Sequence, residues 1–184
     1  MKINEQLLNE VKDFLDRYNV AEHFKNSLDE TGPIWLRKKA GEEKLIALDA
    51  SFQDGGSGAN ALTMGAIYKE CGKIDINTRE FLGLGHARLI SEYGNEQQKN
   101  ELLSDIFEGE NLVGVGITEE GTGSDFAAIN TMATKVPGGY LLNGEKTYVS
   151  RVDEASHFIV FAKTKEGYSA RNISAFIVPT ANLE

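Results

Sequence analysis

Thr118, Glu119, Thr122, Ser124 and Asp125 lie in one eight-residue stretch punctuated by Gly121 and Gly123. Apolar residues from Gly114 to Ile117 lead into it, as at the end of a strand. Hydroxyls and free backbone N–H groups in a glycine-rich turn suit the heteroatoms of a flavin edge or a pyrophosphate. Asp125 would repel phosphate, so its expected role is an Asx-type bond to the turn backbone. Glu119 reads as a turn or interface residue. The stretch has no Gly-Lys-Ser/Thr ending of a phosphate loop, and no G-x-G-x-x-G opens a strand–helix crossover. Ser124 has no nucleophile-elbow context, which disfavours hydrolase chemistry.

Other reactive residues are scattered. His23, His86 and His157 lack metal-ligand spacing, so no metal is expected. His86, among Leu82, Leu84 and Leu89, reads as a satisfied buried histidine. Glu42-Glu43 and Asp153-Glu154 are sequence neighbours, which rarely converge on one cavity. The net charge of -9 argues against nucleic-acid partners. The one basic run, Arg37-Lys38-Lys39, reads as a solvated helix face. Cys71 is the single cysteine, so no internal disulfide can form and a reducing compartment fits. No signal-peptide core and no run of transmembrane length is present, making a cytoplasmic protein without membrane insertion the expectation.

The elements that must position the stretch change character near residue 110. Leu7, Val11, Phe14 and Tyr18 form one helical stripe behind Asn4 as N-cap. A short helix through Phe24 and Leu28 should end at Thr31-Gly32, with Pro33 opening the next and Trp35 packed inward. Asp54 to Gly58 reads as a flexible loop, and Asn60 as the cap of a buried helix from Ala61 to Cys71. Asp75 to Tyr93 reads as one long helix stopped by Gly94, and Asn95 caps another through Leu102, Leu103, Ile106 and Phe107. Beyond Gly109 the pattern is that of strands: 112–117, 129–136, 140–142, 147–150, 157–164 and 173–179. Pro137-Gly138-Gly139 and Asn143-Gly144 are the turn signals, the second predicting a tight hairpin. The fold class is therefore α+β, with an all-α domain over 1–111 and a small antiparallel β-barrel-like domain over 112–184. A sheet left with open edges at Pro179 predicts that the natural polypeptide continues.

With the elements in place, the motifs resemble those of the acyl-CoA dehydrogenase family. Thr118-Glu119-Glu120-Gly121-Thr122-Gly123-Ser124-Asp125 resembles the signature T-E-P-x-A-G-S-D. Gly94 to Lys99 resembles G-x-E-E-Q-K, Leu103 to Glu110 resembles L-P-x-L-x-x-G-E, and Gly55 to Gly58 falls at Y-G-G-x-G. Leu142 to Ser150 resembles L-N-G-x-K-x-W-I-T, and Phe161 to Thr164 resembles F-A-x-T.

The resemblance implies FAD as cofactor, an acyl-CoA or acyl-carrier thioester as substrate, and α,β-dehydrogenation as reaction. Thr118 would bond the flavin pyrimidine edge. Ser124 would touch the FAD pyrophosphate and the acyl-CoA, and Tyr148 would flank the isoalloxazine. Ser150 would place its hydroxyl and N–H near flavin N5, while Val115, Gly123 and Val149 would also contact the cofactor. Electron-transfer flavoprotein or a similar acceptor, and a homo-oligomer for the full-length protein, are implied likewise. The catalytic glutamate of the family comes from a C-terminal helical domain that this chain lacks. Residues 1–184 alone are thus expected to be inactive and to bind FAD weakly. The chain departs from the family pattern at Glu120, Thr122, Tyr148 and Arg151, where proline, alanine, tryptophan and asparagine are usual. Those departures leave open an unusual thioester or another use of the fold, either a flavin monooxygenase or oxidase or a truncated non-catalytic binding protein.

Overall fold

The computed structural model describes residues 2–26 and 34–183. It divides into two compact units, Met1–Asn111 and Leu112–Glu184. In the first unit the described residues form six α-helices: α1 (Glu5–Arg17), α2 (Val20–Asn26), α3 (Ile34–Glu42), α4 (Ala61–Ile74), α5 (Arg88–Tyr93) and α6 (Glu96–Phe107). Their caps are local chemistry. Asn4 accepts from the N–H groups of Gln6 and Leu7, and Asn60 accepts from Leu62 and Thr63. Asn95 and Gln98 form a reciprocal capping box. The amphipathic stripe of α1 buries Val11 and Phe14, which join Val20, Leu36, Leu48, Ile67, Phe81 and Ile90 in the core. Leu28, Thr31, Gly32 and Pro33, expected to end one helix and open the next, lie outside the described residues.

Three expectations for this unit are corrected. Asp75 to Tyr93 is not one helix but a 3-10 segment, Ile76–Phe81, a second at Gly85–Ala87, and then α5. The break falls at Gly83 and Gly85, both with positive φ, and the Leu84 N–H between them donates to Asp49 Oδ1 at 2.8 Å. Trp35 is 41% exposed, because Leu36 and Ala40 occupy the buried side of α3. The 54–58 loop is pinned rather than flexible: the N–H groups of Ser57, Gly58 and Ala59 donate to the carbonyls of Ala47, Ala50 and Leu48. Asp54 anchors its start, accepting from Ser51 Oγ and Ser91 Oγ at 2.9 Å each and pairing with Lys99 at 3.1 Å.

The second unit is a five-stranded sheet of β1 (Val113–Gly116), β2 (Met132–Val136), β3 (Gly139–Asn143), β4 (His157–Lys163) and β5 (Ile173–Pro179). It is open and mixed, which corrects the antiparallel, barrel-like expectation. β1 runs parallel to β4, with Val113 opposite His157 and Gly116 opposite Val160. β2 meets β4 in parallel at Met132 and Lys163, whereas β2–β3 and β4–β5 are antiparallel. Ala155, Phe158 and Val160 form its core, with Leu142, Val149 and Val178 packed against them.

The β2–β3 hairpin turns at Pro137-Gly138, where Gly138 has φ +87°. The expected second hairpin at Asn143-Gly144 does not form, and residues 147–150 are not a strand. At Gly144 the backbone passes so close to Thr131 that a Cβ would sit 2.4 Å from Thr131 Oγ1. The chain is thereby directed back toward the end of β1 instead of along β3.

Candidate functional site

The turn that follows β1 is built around Glu119. Its backbone bridges to Thr122, whose N–H donates to the Glu119 carbonyl at 3.0 Å, and Thr122 Oγ1 accepts from the Glu119 N–H at 3.3 Å. Gly121 supplies the positive φ, +78°, that closes this turn. Thr122, where the family pattern has alanine, thus caps its own turn with a hydroxyl. The Glu119 side chain is turned inward and is 6% exposed. It accepts from the N–H groups of Asn130 and Thr131, from Thr131 Oγ1 at 2.5 Å, and from Lys146 Nζ at 2.7 Å. Burial alone would push this carboxyl up. The Lys146 ammonium, the Thr131 hydroxyl and the two N–H donors outweigh burial and hold it down at about 2. A carboxylate so held is charged at any physiological pH and is no general base. Glu119 is a structural anion, neither an idle turn residue nor an acid–base group.

Lys146 completes the arrangement. Its Nζ also donates to the Ile117 carbonyl at 3.1 Å, and its side-chain stem lies over Gly116, where a Cβ would meet Lys146 Cγ at 3.2 Å. The next residue, Thr147, donates its N–H to the Thr118 carbonyl at 2.8 Å. Segment 144–147 is therefore fastened along the turn at Thr131, Glu119, Ile117 and Thr118. Sequence reasoning gave Glu119 no such part and Lys146 no role, because the two are 27 residues apart and meet only through the fold. The one available signal was the presence of both in matching motifs.

The fastening ends abruptly. Among the described residues no backbone bond satisfies the N–H groups of Tyr148, Val149 or Ser150. Tyr148 has φ +54° and is 94% exposed; Arg151 follows with φ +66°. A bulky aromatic residue held left-handed and bare to solvent costs free energy on both counts. Val149 is half-buried and packs its side chain against Ala155, Phe158 and Val160. The structure thus brings Thr118 beside the Tyr148–Ser150 strip through the Thr147–Thr118 bond. Val115 lies earlier, in β1, in register with Ile159. Gly123 and Ser124 are exposed at the far end of the turn, with no hydrogen bond joining them to this strip.

Two side-chain expectations are corrected. Asp125 makes no cap bond to the short 3-10 turn it precedes, Phe126–Ala128. It instead accepts the Tyr168 hydroxyl on both oxygens, at 2.8 and 2.9 Å, which ties this turn to the β4–β5 loop. His86 is exposed rather than buried, because the left-handed Gly85 starts its 3-10 turn on the solvent side. The Arg37-Lys38-Lys39 run is half-buried and partnered: Arg37 donates to the Gly109 carbonyl, Lys38 pairs with Glu110, and Lys39 with Glu42. Among the described residues no group of carboxylates, histidines and cysteine could hold a metal ion, and no helix is long and apolar enough to cross a membrane.

Residues 2–110 match the family of the acyl-CoA dehydrogenase N-terminal domain, and residues 114–184 match that of its middle domain. The chain belongs to the acyl-CoA dehydrogenase family. It is 34% identical to the "Probable acyl-CoA dehydrogenase YngJ" of Bacillus subtilis, over 92% of this chain and 46% of that protein. It is 30% identical to the short-chain specific acyl-CoA dehydrogenase of Clostridium acetobutylicum, over 92% of this chain and 44% of that one. Among solved structures, the glutaryl-CoA dehydrogenase of Mycobacterium smegmatis, in complex with FADH2, superposes with TM-score 0.78 at 29% identity. That likeness covers 96% of this chain and 45% of the other. The chain thus spans a little under half the length of these relatives.

Proposed function

We propose that the protein uses FAD to dehydrogenate an acyl-CoA or acyl-carrier thioester between its α and β carbons. Residues 118–124 and 148–150 make the protein side of the flavin edge. The observation that carries this reading is the Tyr148–Ser150 strip: three N–H groups without partners among the described residues, beside Thr118, on a segment fastened up to Thr147. Such a donor set fits an acceptor-rich ring system, and an outward-held aromatic ring fits a partner with a flat face. FAD, when bound, supplies the hydride acceptor. This chain's residues bind and orient it. Ser150, with hydroxyl and N–H, donates where negative charge grows on reduction, and a donor fixed beforehand stabilises that charge without reorganising. Thr118 offers its hydroxyl to the pyrimidine side, and Ser124 serves the diphosphate and the thioester.

No residue described here removes the α-proton. Glu119 cannot, since its carboxylate is buried, saturated with donors and held at about 2. The base is assigned to a C-terminal helical domain, in keeping with the length of the relatives. Residues 1–184 alone are accordingly inactive, and electrons pass to electron-transfer flavoprotein or a similar acceptor. The full-length protein works as a cytoplasmic homo-oligomer.

The test is anaerobic titration of the FAD-loaded full-length protein with acyl-CoAs of graded length. Bleaching of the flavin absorbance by one chain-length class, with the enoyl thioester as product, is the expected result. A flavin left oxidised by every acyl thioester, free or on a carrier protein, would sink the proposal.

A further inference from the structure

We infer that Lys146 and Glu119 act as a pair of positioning residues, holding the Tyr148–Ser150 strip in register with Thr118 for the cofactor. The inference rests on the flavin-edge reading above and names residues that no motif role covers.

A buried ion pair by itself is weak support for stability, because desolvating both charges offsets most of their attraction. What distinguishes this one is where its bonds end. Lys146 Nζ reaches two acceptors, the Ile117 carbonyl and Glu119 Oε1, which are the chain neighbours on either side of Thr118. Thr147 then binds the Thr118 carbonyl itself. Three consecutive residues of the turn are thereby tied to two consecutive residues of the later segment. Glu119 is fixed from the other side by Asn130 and Thr131, so the pair is not a hinge that can swing. The lysine stem can lie where it does because Gly116 has no side chain, and the segment can approach Thr131 because Gly144 has none. Tyr148, immediately beyond these ties, is then left in a left-handed conformation and facing solvent. An ion pair that only held the sheet together would have no need to stop two residues short of a strip of unpaired donors. Removing the cation would free the strip while leaving the strands of the sheet paired through their own ladders.

The test uses the full-length protein with three substitutions: Lys146→Met, which keeps the stem and loses the charge, Lys146→Arg, which keeps both, and Glu119→Gln. Hydrogen exchange over residues 144–150 is read without added FAD, FAD affinity by flavin fluorescence, and the flavin midpoint potential on the loaded protein. Lys146→Met should speed exchange over 144–150 by about tenfold or more with the β4–β5 ladder still protected. It should weaken FAD by about tenfold and shift the potential, while Lys146→Arg stays within about threefold of the parent. Should Lys146→Met not fold, Glu119→Gln carries the same comparison, keeping the size of the side chain while removing its charge and turning one acceptor oxygen into an NH2 donor. Unchanged exchange over 144–150 in the folded variants overturns the inference, as does loosening with unchanged FAD affinity and potential. A parent protein that takes up no FAD, with Lys146→Met still loosening the segment, overturns the flavin reading and upholds the positioning of the strip.

Discussion

Among the described residues, a lysine and at least one hydroxyl hold Asp54 in the first unit and Glu119 in the second, and they hold them differently. Asp54 takes two serine hydroxyls and the Lys99 ammonium, and its carboxyl, though pushed up by burial, is held below its ordinary value by Ser91, Lys99 and Ser51. All of its partners are side chains, of which Ser51 is exposed and Ser91 buried. Glu119 takes the Lys146 ammonium and the Thr131 hydroxyl, but also two backbone N–H groups that have nowhere else to turn. Around Asp54 the neighbouring loop is closed by its own backbone bonds; beyond Lys146 the neighbouring strip is open. The same chemistry closes a loop in one place and ends beside an open strip in the other. The difference is read in what the carboxylate leaves unsatisfied nearby.

The sharpest way to break the comparison is Glu119→Ala. It strands a buried ammonium, a hydroxyl and two N–H groups together, and should destabilise the sheet unit by about 3–5 kcal/mol, read from urea unfolding. The acid limb of stability comes next. A carboxyl held at about 2, below its ordinary 4.5, contributes its full stabilisation above pH 4.5 and loses it as pH falls through 2. That amounts to roughly 3 kcal/mol, so the unfolding midpoint of the parent should fall over this window while Glu119→Gln stays flatter. Asp54→Ala should cost less, about 1–2 kcal/mol, because Ser51 and Lys99 reach water; a loss as large as that of Glu119→Ala would erase the distinction. Smallest is Ser150→Ala, with a stability change within about 0.5 kcal/mol and a measurable loss of FAD affinity. A melting shift without an affinity change would return Ser150 to the scaffold.

What the sequence made legible was what chemistry settles within a few residues. The caps at Asn4, Asn60 and Asn95 follow from a side chain and the next two or three N–H groups. β5, from Ile173 to Pro179, was legible as an apolar run bounded by loops. Failures came where a distant residue decided. Asn143-Gly144 carries a strong hairpin signal, but Thr131 stands where the turn would fold. The helix expected over 75–93 is broken by glycines whose intervening N–H is claimed by Asp49, 35 residues earlier. Asp125 had a local cap within reach and bonds Tyr168 instead, 43 residues on. For the site, the motif stretch was legible as polar and glycine-rich, while the Glu119–Lys146 link that organises it was not, since no local pattern couples them.

Cys71 lies in α4, 1% exposed, with burial pushing its thiol up to about 12. It is the chain's single thiol, and at neutral pH it is neither ionised nor reachable by an alkylating reagent. A cysteine introduced at Tyr148 would therefore be the chain's one maleimide-reactive atom. A dye placed there would report directly on whatever settles against the strip, with no background from Cys71.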